Sequence, residues 1–155
     1  GYTEKYSHGP VWLEEGFAEG LAQKFTYQEG YNRRYKEFLN EALDAAIKVN
    51  KKHNFTLRDI KTRQDQANIR SICEDCQGWL QYETAVIALA VLENQIGVET
   101  FIEKFKNFYS YVPINGWESA FKKSFGMSID EFYVIIDKFM EKPEKEQRKI
   151  LYALL

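Results

Sequence analysis

The stretch that decides the fold is residues 79–96, which read WLQYETAVIALAVLENQI. Every residue from Ala85 to Leu92 is apolar, and a helix that is hydrophobic on all sides belongs in the interior of a protein. Gly97 follows directly and suits the left-handed residue that commonly ends a helix. The apolar run is too short to span a bilayer. We therefore predict that residues 79–96 form the central helix of a packed core, with no membrane span.

Two amphipathic helices are predicted before this central helix. Leu13, Phe17, Leu21 and Phe25 recur at every fourth position, which is typical of the buried face of a helix. A second helix is predicted from residue 31 to about residue 51, because its apolar residues also fall on one side.

Three more helices are predicted after Gly97. Residues 101–112 carry an apolar stripe, the chain then turns from Pro113 onward, and residues 117–125 form a short helix. Ser128 and Glu131 stand three positions apart and predict a capping box, in which each side chain satisfies the other's backbone N–H. Another amphipathic helix is expected to begin there.

The remaining segments complete an all-α prediction. Residues 52–77 are polar and are predicted to form an irregular loop region, with a short helix at most after Thr56. Pro143 precedes a last helix that is expected to end at Leu155. No window alternates apolar and polar residues as a half-buried strand does. We predict a single helical domain over residues 1–155, with about seven or eight helices packed as an irregular bundle.

The composition excludes several classes of function. The chain has 21 Lys and Arg residues against 23 Asp and Glu residues, so its net charge is −2. Nucleic-acid-binding domains carry a basic excess, and no nucleic acid is therefore expected as a partner. Only two histidines are present, His8 and His53, so the chain by itself cannot build a metal site from several imidazoles. Both histidines are predicted to lie on the surface.

The first candidate for chemistry is residues 12–18, WLEEGFA. At 100° per residue, Glu15 points about 200° away from Leu13 and shares its face with Glu19. Two carboxylates at i and i+4 repel each other by a few tenths of a kcal/mol, and a bound cation would relieve that repulsion. The alternative is an acidic first turn that is favoured by the helix dipole and simply hydrated.

Residues 12–18 also resemble the W-L-x-E-G-x-A segment of the gluzincin zinc metallopeptidases, which include peptidase-MA-like and M1-like domains. The resemblance implies that Glu15 is the third zinc ligand, with Glu19 orienting it. Residues 82–89, YETAVIAL, are similar to the Y-E-K-G helix of these peptidases. There the resemblance implies that Tyr82 donates a hydrogen bond to the oxyanion of the tetrahedral intermediate. Otherwise Tyr82 is a core residue on an apolar stripe.

The sequence departs from this family because no H-E-x-x-H occurs in its 155 residues. In the family the second histidine stands on the order of twenty residues before the glutamate, and Glu15 does not have that many residues before it. We therefore expect this chain to be the C-terminal helical part of a zinc peptidase. Zinc and a peptide or protein substrate would bind the larger enzyme, and this chain alone would hold no zinc and be inactive. The alternative is a non-catalytic helical module that binds another protein through exposed aromatics such as Trp117, Tyr109 or Tyr111.

The two cysteines, Cys73 and Cys76, form a single C-x-x-C. A structural zinc site would need two more cysteine or histidine ligands nearby, which the sequence lacks. The pair is therefore either two thiols or a small disulfide loop. We favour a disulfide and, with it, an extracytoplasmic location.

Overall fold

The computed structural model describes residues 9–26, 32–73 and 80–155, with side chains for 9–24, 35–73 and 82–155. This part of the chain forms eight α-helices and no strand, which confirms the predicted all-α fold. The helices are α1 (Val11–Thr26), α2 (Asn32–His53), α3 (Arg63–Ile72), α4 (Leu80–Ile96), α5 (Phe101–Asn115), α6 (Trp117–Phe125), α7 (Ile129–Glu141) and α8 (Glu144–Tyr152), with a one-turn 3₁₀ helix at Leu57–Asp59.

The central position of α4 is confirmed. Every residue from Ala85 to Glu93 is buried, and α1 and α2 pack along its length while α7 and α8 touch it more briefly. Phenylalanine rings from α5 and α6 pack on one another in the same core, with centroids 4.7–6.3 Å apart. No single helix of the described segments is long and apolar enough to cross a membrane, and α4 and α5 reach that length only together, across a bend of 106°.

The predicted buried face of α1 is only partly correct. Phe17 and Leu21 are half-buried, and the side chain of Phe25 lies outside the described residues. The buried positions are Val11, Trp12, Leu13, Gly16 and Gly20. Two glycines form the face of α1 that meets α4. Because glycine has no apolar side chain, the spacing of apolar residues does not indicate this face.

The prediction of an irregular region at residues 52–77 is wrong for its middle, which contains α3. The short helix expected at its start is the 3₁₀ turn. Thr62 begins α3 with a capping box, since its side chain accepts a hydrogen bond from the Asp65 N–H at 3.0 Å and Asp65 accepts one from the Thr62 N–H at 2.7 Å. Only a narrow stripe of α3 that includes Ile69 is buried, so its few apolar residues did not predict a helix. Residues 74–77 lie outside the described residues.

The turn predicted from Pro113 begins later, because α5 continues through this proline to Asn115. The fixed φ of proline is close to the helical value, and Pro113 lacks only the backbone N–H that would donate to the preceding turn. Of the predicted turn over residues 113–116, only Gly116, with a φ of +76°, lies between the two helices. The capping box of α7 is confirmed, with the Ser128 N–H donating to Glu131 at 2.6 Å and the Glu131 N–H donating to Ser128 at 3.2 Å.

Candidate functional site

WLEEGFA lies in α1 and YETAVIAL lies in α4. These two helices lie side by side and run in the same direction. The contacts along them are Gly16 with Ala85, Gly20 with Leu89, and Lys24 with Glu93. Each pair is 69 residues apart in the chain, so the register stays constant over about two helical turns. A Cβ on Gly16 would lie 2.7 Å from the carbonyl oxygen of Ala85, which shows how closely the two backbones approach.

The beginning of α1 is anchored by Trp12, whose side chain is fully buried. The indole N–H donates a hydrogen bond to the hydroxyl of Tyr133 on α7 at 3.2 Å, and the indole ring stacks on Phe132 with centroids 5.7 Å apart. The Val11 N–H donates to the carbonyl of Lys61 at 2.8 Å. These contacts hold the first turn of α1, and therefore Glu15 in its second turn, against α7 and the segment before α3.

Glu15 is half-buried, with 24% of its side chain exposed. Its carboxylate lies 3.8 Å from the guanidinium of Arg63 on α3, which is itself largely exposed, so the pair is weak. Glu19 accepts a hydrogen bond from the Gln23 amide at 2.8 Å. The described contacts of the two glutamates therefore go to different partners, and the orienting role predicted for Glu19 stays a prediction.

Tyr82 is half-buried near the start of α4. It stands three residues before Ala85 and hence on the stripe of α4 that faces α1. Since the helices are parallel, Tyr82 and Glu15 lie at the same end of the pair. Tyr82 stands about one turn before Ala85 in α4, and Glu15 stands one residue before Gly16 in α1. The structure thus brings both motifs to one end of a rigid helix pair.

Glu83 is a further candidate functional residue that no sequence motif indicated. Burial raises its pKa to about 7, and the nearby carboxylate of Glu41 on α2 adds to the rise. A carboxyl that titrates near neutral pH can exchange protons with a substrate, which is why shifted pKa values cluster at functional sites. In the sequence, only its position could have indicated Glu83 as a functional residue, since it directly follows Tyr82 at the edge of the all-apolar stretch of α4.

At the other end of the helix pair, Lys24 forms a largely buried ion pair with Glu93, their side chains being 17% and 3% exposed. Burial raises the pKa of Glu93, and the hydrogen bond and positive charge of Lys24 oppose that rise. Burial followed by the charge of Glu93 also raises the pKa of Tyr35 on α2. The ammonium group lies 5.8 Å from the ring centroid of Phe101. This cluster joins α1, α2, α4 and α5.

His53, which was predicted to lie on the surface, is half-buried at the end of α2. Its Nε2 lies 3.1 Å from the sulfur of Cys73, and its ring stacks on Phe55 with centroids 5.8 Å apart. Cys73 is buried. His8 and Cys76 lie outside the described residues, so the predicted pairing of the two cysteines stays a prediction.

The aromatic residues named for the interaction-module hypothesis are half-buried, with one side of each packed against the core. Tyr109 lies on Phe17 with ring centroids 5.5 Å apart, and the ammonium of Lys123 lies 3.8 Å from the ring centroid of Tyr111. Trp117 is half-buried and forms one wall of a cleft of about 700 Å³ at the beginning of α1. Lysines and carboxylates both line this cleft, so its charge favours no particular ligand.

The metal-ligating side chains of the described residues lie apart from one another. In the segments for which side chains are described, no group of three or more His, Cys, Asp or Glu side chains converges. Glu15 fits the role of a single oxygen ligand, because its carboxylate is partly exposed and held by only a weak ion pair. Comparison with known proteins identifies no matching family model, no matching curated protein and no matching solved structure.

Proposed function

We propose that this chain supplies the glutamate and tyrosine of a gluzincin-like zinc peptidase site, the remaining metal ligands coming from residues outside it. The observation that carries the proposal is the constant register of α1 against α4. Because of it, the two sequence motifs that resemble the peptidases lie at the same end of one parallel helix pair. Two unrelated matches would have no reason to share an end.

The close approach of the helices explains why the motif has a glycine at position 16. In WLEEGFA, Gly16 is the residue at which α1 meets the backbone of α4, and Glu15 directly precedes it. The position of Glu15 relative to Tyr82 is therefore set by backbone contact rather than by flexible side chains. A site built on two rigid helices holds its functional groups more accurately than one built on loops.

Each residue has a distinct role in the proposed reaction. Bound zinc supplies an activated water and polarisation of the scissile carbonyl. Glu15 contributes one carboxylate oxygen to hold the metal, and it is the weak pairing with Arg63 at 3.8 Å that leaves this carboxylate available. Tyr82 donates its phenolic O–H to the developing oxyanion, a contact whose loss typically lowers the rate by about 10²–10³.

The first test uses the 155-residue chain and its coding sequence. No group of three metal-ligating side chains converges among the residues whose side chains are described, and a single carboxylate does not retain zinc, so we expect no stoichiometric zinc after dialysis of this chain. The residues encoded before Gly1 should include H-E-x-x-H. Tight zinc binding by the isolated chain would contradict the proposal. So would an upstream sequence without that motif, which would favour the helical interaction module instead.

The second test assigns the roles in the longest natural form of the protein. Glu15→Gln should lose zinc, while Tyr82→Phe should keep zinc and lose turnover by about 10²–10³. Glu14→Gln is the matched control, since Glu14 is the neighbouring half-buried carboxylate and should affect neither quantity. Full zinc content in Glu15→Gln, or full activity in Tyr82→Phe, would remove the corresponding role.

A further inference from the structure

A second cleft, which we call the α2–α7 cleft, lies on the side of α4 away from α1. Its volume is about 370 Å³, within the range of small-ligand sites. Its floor comes from α4 at Thr84, Ile87 and Ala88, while α2, the 3₁₀ helix and α7 form its walls. The apolar part of the lining includes Ala46, Phe55, Leu57, Ile87, Ile136 and Met140.

The chain builds one wall of this cleft with a left-handed residue. Asn54, with a φ of +54°, ends α2, and its N–H donates to the carbonyl of Asn50 at 2.9 Å. Asparagine tolerates this conformation better than most residues. The side-chain amide of Asn50 then donates to the carbonyl of Phe55 at 3.2 Å, which holds the chain folded back beside the helix. The wall is therefore fixed by hydrogen bonds.

The charge of the lining is one-sided. The described residues that line the cleft include two carboxylates, Asp137 and Glu141 of α7, and neither a lysine nor an arginine. Arg58 is ion-paired with Asp137, so it offsets one of the two negative charges. The exposed carboxylate of Glu141 stands one helical turn farther along α7, on the same face of the helix. An apolar interior with an acidic edge complements a molecule with an apolar body and one positive charge.

We infer that the α2–α7 cleft binds a small organic amine, with its apolar body among Phe55, Ile87 and Met140 and its ammonium group at the carboxylate of Glu141. Thr84 of α4 also lines the cleft, and its hydroxyl oxygen is a hydrogen-bond acceptor. This inference does not depend on the proposed peptidase site, because the cleft lies on the opposite side of α4 from Gly16 and contains neither Glu15 nor Tyr82.

The experiment compares three probes of similar shape and different charge. Phenethylamine, 2-phenylethanol and 3-phenylpropanoate are titrated into the chain near neutral pH, where the amine is charged, and binding is followed by amide chemical shifts. We expect phenethylamine to shift the amides of 54–57, 84–88 and 136–141 and to bind about tenfold more tightly than the alcohol, while the carboxylate does not bind. Equal binding of the alcohol or carboxylate, no binding of the amine up to about 10 mM, or shifts confined to other regions would overturn the inference.

A pair of variants tests the charge without disturbing the core. Glu141→Gln should weaken phenethylamine binding by about three- to fivefold, as expected for an exposed ion pair, and leave binding of the alcohol unchanged. Glu146→Gln is the control, because Glu146 on α8 is also an exposed carboxylate with a lysine nearby but does not line the cleft. An equal effect of both substitutions would show that the amine responds only to the overall charge and would refute the assigned site.

Discussion

The closest contact between α1 and α4 leads to a prediction about two glycines. Replacing Gly16 by alanine would place a Cβ 2.7 Å from the carbonyl oxygen of Ala85 and 2.9 Å from its carbonyl carbon. Both are backbone atoms, so the helices must separate. At Gly20 the new Cβ would meet only the Cδ2 of Leu89, at 2.8 Å, and a leucine methyl can move by rotation of its side chain.

The two variants form a matched pair because alanine gains the same helix propensity, about 1 kcal/mol, at both positions. The difference between their free energies of unfolding therefore isolates the steric cost. Overpacking against a fixed neighbour costs about 1–3 kcal/mol, so we expect Gly16→Ala to be less stable than Gly20→Ala by that amount. In a chain of this length each kcal/mol lowers the melting temperature by about 2–4 °C.

Urea unfolding followed by circular dichroism measures this difference, with thermal melts as a second readout. The slope of the free energy against urea concentration should be the same in both variants, because each unfolds from the same compact state. Equal stability of the two proteins, or a greater loss for Gly20→Ala, would refute the close backbone approach and the register derived from it.

Two further predictions concern buried charge. Because burial and Glu41 raise the pKa of Glu83 to about 7 in the folded state, the native protein binds more protons than the unfolded chain between about pH 4.5 and 7. The free energy of unfolding should therefore fall as the pH rises through this window. Urea unfolding at several pH values measures this dependence, and Glu83→Gln should remove it. If the variant kept the full pH dependence, the raised pKa of Glu83 would be contradicted. Lys24→Met leaves Glu93 buried without its partner, so we expect a loss of about 3–5 kcal/mol at neutral pH. The loss should shrink in acid as Glu93 takes up a proton, and a pH-independent loss would point to packing alone.

Much of the fold could be read from the sequence because its signals are local. The all-apolar stretch from Ala85 to Leu92 required a buried helix, and the capping box at Ser128 depends on residues three positions apart. α3 was missed because its capping box at Thr62 supports a helix with only a narrow buried stripe. Local patterns are reliable where burial is extensive and weak where it is not.

The candidate site divides in the same way. Glu15 and Tyr82 could be selected from their motifs, but no local pattern shows that they lie at the same end of a helix pair. Glu83 could not be selected, because its raised pKa depends on burial and on Glu41 from another helix. The buried ion pair of Lys24 and Glu93 also joins distant parts of the chain.

The sequence by itself determined that this protein is helical and which segment lies at its centre. The tertiary structure decided which face of α1 is buried, and the reason is steric. A glycine has no apolar side chain and so adds nothing to a hydrophobic pattern. Its missing Cβ is nevertheless what allows two helix backbones to come into contact. The direction and register of α1 against α4 follow from Gly16 and Gly20 only once Ala85 and Leu89 stand opposite them.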